Sequence, residues 1–106
     1  MLKQIGNMPK DMIQTKNGNY TIIFSKQAVK DQKLLASAGL ENKAKEILNI
    51  MTQDPFGYPP SYEKLIGELR DHYSRRINIQ HRIIYKVNED KKEIYILRMW
   101  THYENL

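Results

Sequence analysis

The chain has 106 residues, carries a formal net charge of +5 at pH 7 and contains no cysteine. This length predicts one domain with one modest core, and the lack of cysteine excludes disulfides and thiolate metal sites. The positive charge favours a polyanionic or acidic partner, although a well-solvated surface accounts for it equally. No apolar run reaches the length of a signal peptide or a membrane span, so we expect a cytoplasmic protein without a membrane partner.

Residues 1–19 are polar and show no hydrophobic periodicity, and we expect them to form an irregular N-terminal extension. The folded domain is expected over residues 20–106. It begins with Tyr20–Phe24, whose aromatic and β-branched residues predict a short strand.

Two helices are predicted next. Ser25 is a suitable N-cap for a helix over 26–38, and Gly39 is a suitable stop because helices often end at a glycine in the left-handed conformation. A second helix over 41–52 follows from apolar residues at the i, i+3, i+4, i+7 spacing. The short connection at Gly39 makes the two helices antiparallel.

A proline-rich segment, Asp54–Pro60, ends the helical part of the chain. The stretch Tyr73–Tyr85 predicts two strands joined at the polar corner Asn78–Gln80, and Glu93–Trp100 predicts a last strand. These elements predict an α+β fold, in which two helices pack on one face of a twisted, mainly antiparallel sheet.

Arginines lie in the middle of the two strands that meet at the polar corner. Arg75 and Arg76 belong to the first strand and Arg82 to the second. Because strand side chains alternate, Arg75 faces the side opposite Arg76. The planar fork of a guanidinium group matches phosphate oxygens, so we expect this sheet to bind phosphate.

Other groups suited to chemistry flank these strands. Glu63 precedes them, and His102 and Tyr103 follow the last strand, so a folded meander brings all three toward the arginines. Taken one at a time, these residues have simpler explanations: Glu63 as a solvated surface charge and His102 as a packed histidine near the chain end. We assign no chemistry to His72 or His81. The sequence has no HExxH, P-loop or GxGxxG motif, so neither a metal nor a cofactor is expected. What remains is metal-free acid–base chemistry on a phosphate.

Taken together, four segments resemble the YoeB/Txe toxins of the RelE superfamily: Asp54–Phe56, Tyr62–Leu65, Tyr73–Tyr85 and Met99–Glu104. The resemblance extends from about residue 20 to the end of the chain. It implies a RelE-like fold and the toxin of a type II toxin–antitoxin system. The implied activity is that of a ribosome-dependent endoribonuclease, or mRNA interferase, which cuts the codon in the ribosomal A site.

The resemblance also implies partners. One is a cognate antitoxin of the YefM/Axe kind, with an acidic C-terminal segment that blocks the active site. The other is the ribosome with mRNA in its A site. A homodimer or a toxin–antitoxin hetero-oligomer is compatible with the resemblance.

By position, Glu63 and Arg82 of this chain are similar to the family's catalytic glutamate and arginine. The terminal pair of the family is similar to His102 and Tyr103, and its phosphate-contacting arginine to Arg76. In the implied reaction, Glu63 takes the proton of the 2′-hydroxyl that attacks the phosphate. Arg82 stabilises the added charge and His102 protonates the leaving oxygen.

The chain departs from better-known members of the family at two places. It has Gly57–Ser61 where they have a Gly/Lys-rich loop, and Ile66 where they have a basic residue after the catalytic glutamate. Lys64 is the candidate to supply that charge and to bind RNA.

Three other functions fit parts of the pattern. A non-catalytic module that binds RNA or an antitoxin through the arginine sheet needs no acid or base. A RelE-fold toxin of the gyrase-poisoning kind acts by protein contact, but such toxins generally lack the His-Tyr ending found here. A degenerate toxin would survive only as an antitoxin-bound scaffold.

Overall fold

The structure of the protein, a computed structural model, describes residues 19–58 and 61–101. Its elements are, in chain order, β1 (Thr21–Phe24), α1 (Lys26–Ser37), α2 (Glu41–Gln53), β2 (Tyr62–Lys64), a 3-10 turn (Gly67–Leu69), β3 (Tyr73–Arg76), β4 (Arg82–Asn88) and β5 (Glu93–Thr101). The strands form one five-stranded sheet in the order β1-β5-β4-β3-β2. β1 runs parallel to β5, and the other neighbouring pairs are antiparallel.

The predicted α+β architecture, two helices on a mainly antiparallel sheet, is confirmed. The predicted division between an irregular extension and a domain falls largely on residues 1–18, which lie outside the described part, and it stays a prediction. Among the described helices, none combines the length and the apolar character that crossing a bilayer requires.

Local signals set the ends of α1. The Ala28 backbone N–H donates to Ser25 Oγ at 2.9 Å, so Ser25 is the N-cap that the sequence predicts. Gly39 has φ +75°, and the Leu40 N–H reaches back to the Leu35 carbonyl at 2.9 Å. This Schellman-type ending closes the helix and turns the chain into α2.

The core lies between the helices and the sheet, and α1 packs mainly against β5. The parallel pairing of β1 with β5 places buried Phe24 directly opposite buried Ile96. Each large apolar side chain removed from water contributes roughly 1.5 to 3 kcal/mol. Members of this cluster from both helices and the sheet include Ile22, Phe24, Leu35, Leu48, Met51, Tyr85, Ile94 and Ile96.

Strand β2 was not predicted as a separate strand. It has only three residues, all exposed, and it pairs with β3 at the edge of the sheet. A strand this short carries no alternation of buried and exposed residues, so nothing in its own sequence marks it. The pairing supplies the strand that carries Glu63.

Both sides of β4 are buried at Ile83, Ile84 and Tyr85. The pairing of β4 with β5 shifts register between Arg82 and Ile84, and again between Ile84 and Tyr85. These irregularities are β-bulges, which bend a strand and change the direction of its side chains. They lie next to Arg82 and bring Thr101, at the end of β5, opposite it.

Candidate active site

Glu63 and Arg82 form an ion pair across three neighbouring strands. Arg82 Nη1 donates to Glu63 Oε1 at 3.0 Å and to Ser74 Oγ at 3.2 Å. Ser74 lies directly opposite Glu63 in the β2–β3 register, which fixes the two residues on one face of the sheet. The side chain of Glu63 is 59% exposed and that of Arg82 only 13%. A covered cation therefore holds a carboxylate that remains open to solvent.

Arg76 belongs to the same face. It lies directly opposite Arg82 in the β3–β4 register, and its side chain is exposed. Like charges directly opposite each other repel, and the Glu63 carboxylate offsets part of this repulsion at Arg82. A phosphate group has the geometry to accept hydrogen bonds from two guanidinium groups.

The end of β5 also reaches this face. Thr101 pairs with Arg82, so the described end of β5 lies beside the ion pair. The predicted residues His102 and Tyr103 come next in sequence and lie outside the described residues. Their assignment as catalytic residues stays a prediction.

The expected role of Arg75 requires a correction. From the sequence we expect Arg75 to bind RNA phosphate, but its side chain is fully buried. Arg75 Nη2 donates to the Pro55 carbonyl at 2.8 Å and to the Gly57 carbonyl at 2.9 Å, and Nε donates to the Tyr85 hydroxyl at 3.2 Å. Alternation along β3 turns Arg75 to the core side together with buried Ile77. Arg75 therefore binds the backbone of its own chain and not a surface phosphate.

Lys64 also lies away from the ion pair. It follows Glu63 in β2, so alternation directs its side chain to the opposite face. Its Nζ donates to the Arg70 carbonyl at 3.4 Å, and it lines a surface groove with Arg70 and Lys86. The structure thus does not bring Lys64 to the Glu63–Arg82 pair, and its role in binding RNA stays a prediction.

The two histidines that the structure describes lie among residues that pack the fold. The His81 ring stacks on Trp100, with 3.9 Å between ring centroids, and this contact ties the β3–β4 corner to β5. His72 is half-buried and its Nδ1 is buried without a hydrogen-bond partner. Burial lowers the pKa of His72, and the positive charge of Lys86 lowers it further.

Sequence reasoning missed the contacts of two residues. Ser74 is buried and receives the hydrogen bond from Arg82; its position two residues before Arg76 on one strand was the available signal. Tyr85 is buried outside the site, where its hydroxyl accepts from Arg75. The same hydroxyl donates to the Pro55 carbonyl at 2.8 Å, and burial raises its pKa to about 12. It is therefore a protonated donor at neutral pH.

Comparison with known proteins places the chain in a family. The model of a family described as YoeB-like toxin of bacterial type II toxin–antitoxin system matches residues 24–103. A toxin YoeB from Mycobacterium bovis is 31% identical over 70 residues, which cover 66% of this chain and 80% of that protein.

Solved structures support the same family match. The YoeB–YefM heterotetramer from Staphylococcus aureus has a chain that is 32% identical, with a TM-score of 0.68, covering 79% of this chain and 98% of that one. A YoeB/ParE toxin from Agrobacterium tumefaciens shares the fold at 21% identity, with a TM-score of 0.71, covering 77% of this chain and 98% of that one. The chain therefore belongs to the YoeB-like toxins of bacterial type II toxin–antitoxin systems.

Proposed function

We propose that this toxin is an endoribonuclease that cuts mRNA in the A site of the ribosome and thereby arrests translation. The observation that carries the proposal is the Glu63–Arg82 pair, joined at 3.0 Å, with Arg76 opposite Arg82 on the same face. An acceptor for a proton and two cations for a phosphate are thereby close together on one surface.

The proposed reaction is metal-free. The 2′-hydroxyl that RNA carries attacks the adjacent phosphorus, and Glu63 accepts the hydroxyl proton. Arg82 and Arg76 stabilise the extra negative charge of the pentavalent phosphorane. The bond to the 5′-oxygen breaks, and His102 gives this leaving group a proton while Tyr103 orients the phosphate or stacks on a base. The products are a 2′,3′-cyclic phosphate and a 5′-hydroxyl.

The environments of the two central residues support these roles. A general base must reach the proton it takes, and the Glu63 side chain is 59% exposed. A charge-stabilising group works best when it is already held in place, and Arg82 is 13% exposed and bonded to Ser74. The exposed carboxylate and the fixed cation thus match a base and an electrostatic catalyst.

The proposed partners follow from the family. The Staphylococcus aureus relatives include a YoeB–YefM heterotetramer and a YoeB dimer. We expect a cognate YefM-like antitoxin whose acidic segment binds this chain of net charge +5, in a hetero-oligomer or beside a homodimer, in the cytoplasm where the ribosomes are.

Primer extension on mRNA from translating extracts tests the activity. Extracts with the toxin should show stops in phase with the reading frame, each with a 5′-hydroxyl on the downstream product. Glu63→Gln is the control: it should lower cleavage by roughly 10² to 10⁴ and still bind ribosomes. Cuts scattered through naked RNA, 5′-phosphate ends, or translation arrest by Glu63→Gln equal to that of the wild type would contradict the proposal. The last result would indicate a toxin that acts by binding alone.

A further inference from the structure

A buried arginine attaches the loop between α2 and β2 to the sheet. Arg75 on β3 is fully buried, and its Nη2 donates to two carbonyls of this loop, those of Pro55 and Gly57, at 2.8 and 2.9 Å. Burying a cation is costly unless hydrogen bonds compensate it. If the loop moved away, this buried charge would lose two of its acceptors.

Tyr85 completes this attachment. Its hydroxyl receives the N–H of Arg75 Nε at 3.2 Å and donates its own proton to the Pro55 carbonyl at 2.8 Å. The Pro55 carbonyl thus accepts from both β3 and β4. Hydrogen bonds among Arg75, Tyr85 and Pro55 thus join the two strands to the loop.

The same arginine also contacts the residue before Glu63. Arg75 lies opposite Tyr62 in the β2–β3 register, and its guanidinium carbon is 5.3 Å from the centroid of the Tyr62 ring. Phe56, from the loop, lies 5.3 Å from that ring between centroids. These contacts matter because β2 is a three-residue edge strand with every residue exposed. Its position depends on the side chains that hold Tyr62.

We propose that Arg75 is a positioning residue, which holds the loop and Tyr62 so that the carboxylate of Glu63 stays where the reacting 2′-hydroxyl needs it. This inference rests on the proposed function. Glu63 is carried by the strand that Arg75 secures, and it lies on the opposite face from Arg75, so Arg75 acts without touching RNA. A misplacement of about 1 Å in a catalytic group can lower a rate by about 10²-fold.

The side-chain chemistry at this position is specific. An apolar side chain could fill the same space in the core, but it could not donate to two carbonyls and a hydroxyl. Lysine would keep the charge but lacks the planar fork of donors. Arginine is therefore required for the attachment of the loop, whereas the packing of the core alone does not require it.

The test compares cleavage rates with local stability. Arg75→Met should lower the rate of mRNA cleavage on ribosomes at saturating toxin by about 10²-fold, with little change in the toxin concentration that gives half the maximal rate. Arg75→Lys should not restore the rate. In hydrogen exchange, amides of β2 should exchange faster in Arg75→Met than in the wild type, relative to those of α1.

The control separates positioning from general loss of stability. Leu35→Ala creates a cavity under α1, and it should lower the melting temperature but keep the wild-type rate wherever it is folded. If Arg75→Met does not fold, Tyr85→Phe removes one donor to Pro55 and should give a smaller loss in the same direction. A folded variant with the wild-type saturating rate and unchanged β2 exchange would overturn the inference. If the wild type cleaves nothing, the proposed function fails, and the exchange measurement still decides whether Arg75 holds β2.

Discussion

Two adjacent arginines show how strongly strand alternation separates the roles of residues. Arg75 is buried and bonds backbone carbonyls, whereas Arg76 is exposed and lies opposite Arg82. Their side chains have the same chemistry, and only the face of β3 differs. Ser74, on the same face as Arg76, adds a neutral group that fixes Arg82 beside Glu63.

Removing the Ser74 hydroxyl tests that role. Ser74→Ala leaves Arg82 with one hydrogen bond fewer, which is worth about 0.5 to 1.5 kcal/mol. If this energy is lost in the transition state, the cleavage rate at saturating toxin should fall about 2- to 13-fold. Ser37→Ala, at an exposed serine of α1, is the matched control and should cleave as the wild type does. An unchanged rate in Ser74→Ala would show that Arg82 does not depend on Ser74.

The elements that carry local signals are those that the sequence predicts well. The N-cap at Ser25 and the stop at Gly39 define α1, and both act through bonds within a few residues. Elements that depend on distant partners escape such reasoning. β2 exists because Glu63 pairs with Ser74, and the bulges appear only in the register of β4 with β5, where β5 carries an extra residue at each shift.

Gly39 provides a prediction about an element. With φ +75°, this position favours glycine, and no atom outside its neighbours lies within 4 Å of an added Cβ. Gly39→Ala should therefore destabilise the fold only through backbone strain, by about 1 to 2 kcal/mol. Gly39→Asn should cost less, since asparagine tolerates the left-handed region. Urea unfolding measures both, and an alanine variant as stable as the asparagine variant would contradict this account.

The same division between local signals and distant partners explains which parts of the candidate site were predictable. The pairing of Glu63 with Arg82 was predictable from the family resemblance and from the order of the strands. The burial of Arg75 was not, because it depends on the loop after α2 covering that face of β3. The position of Lys64 was not, because it depends on β2, which was not predicted as a strand. The roles of His102 and Tyr103 remain expectations from the resemblance.

For the whole molecule, His72 contributes to the dependence of stability on pH. His72 has a lowered pKa, first because of burial and then because of Lys86, while Asp71 opposes the shift. The folded state therefore binds the proton less well than the unfolded chain does. This contribution to stability is fully present above about pH 6.5 and is lost as the pH falls through the folded-state pKa.

A variant without this imidazole tests the effect. In His72→Gln, the free energy of unfolding should fall less between pH 7.5 and pH 5.5 than in the wild type, as measured by urea titration at each pH. Carboxylates elsewhere affect both proteins alike over this range. Equal slopes in the two proteins would show that His72 does not govern acid sensitivity.

The opposed positions of Arg76 and Arg82 have one more consequence. Like charges directly opposite each other on a sheet repel, and the Glu63 carboxylate offsets part of this repulsion at Arg82. A negatively charged group that binds beside exposed Arg76 adds a second counter-charge to the same face. Ligands of this face, whether RNA or an acidic inhibitor, therefore stabilise the folded toxin when they bind.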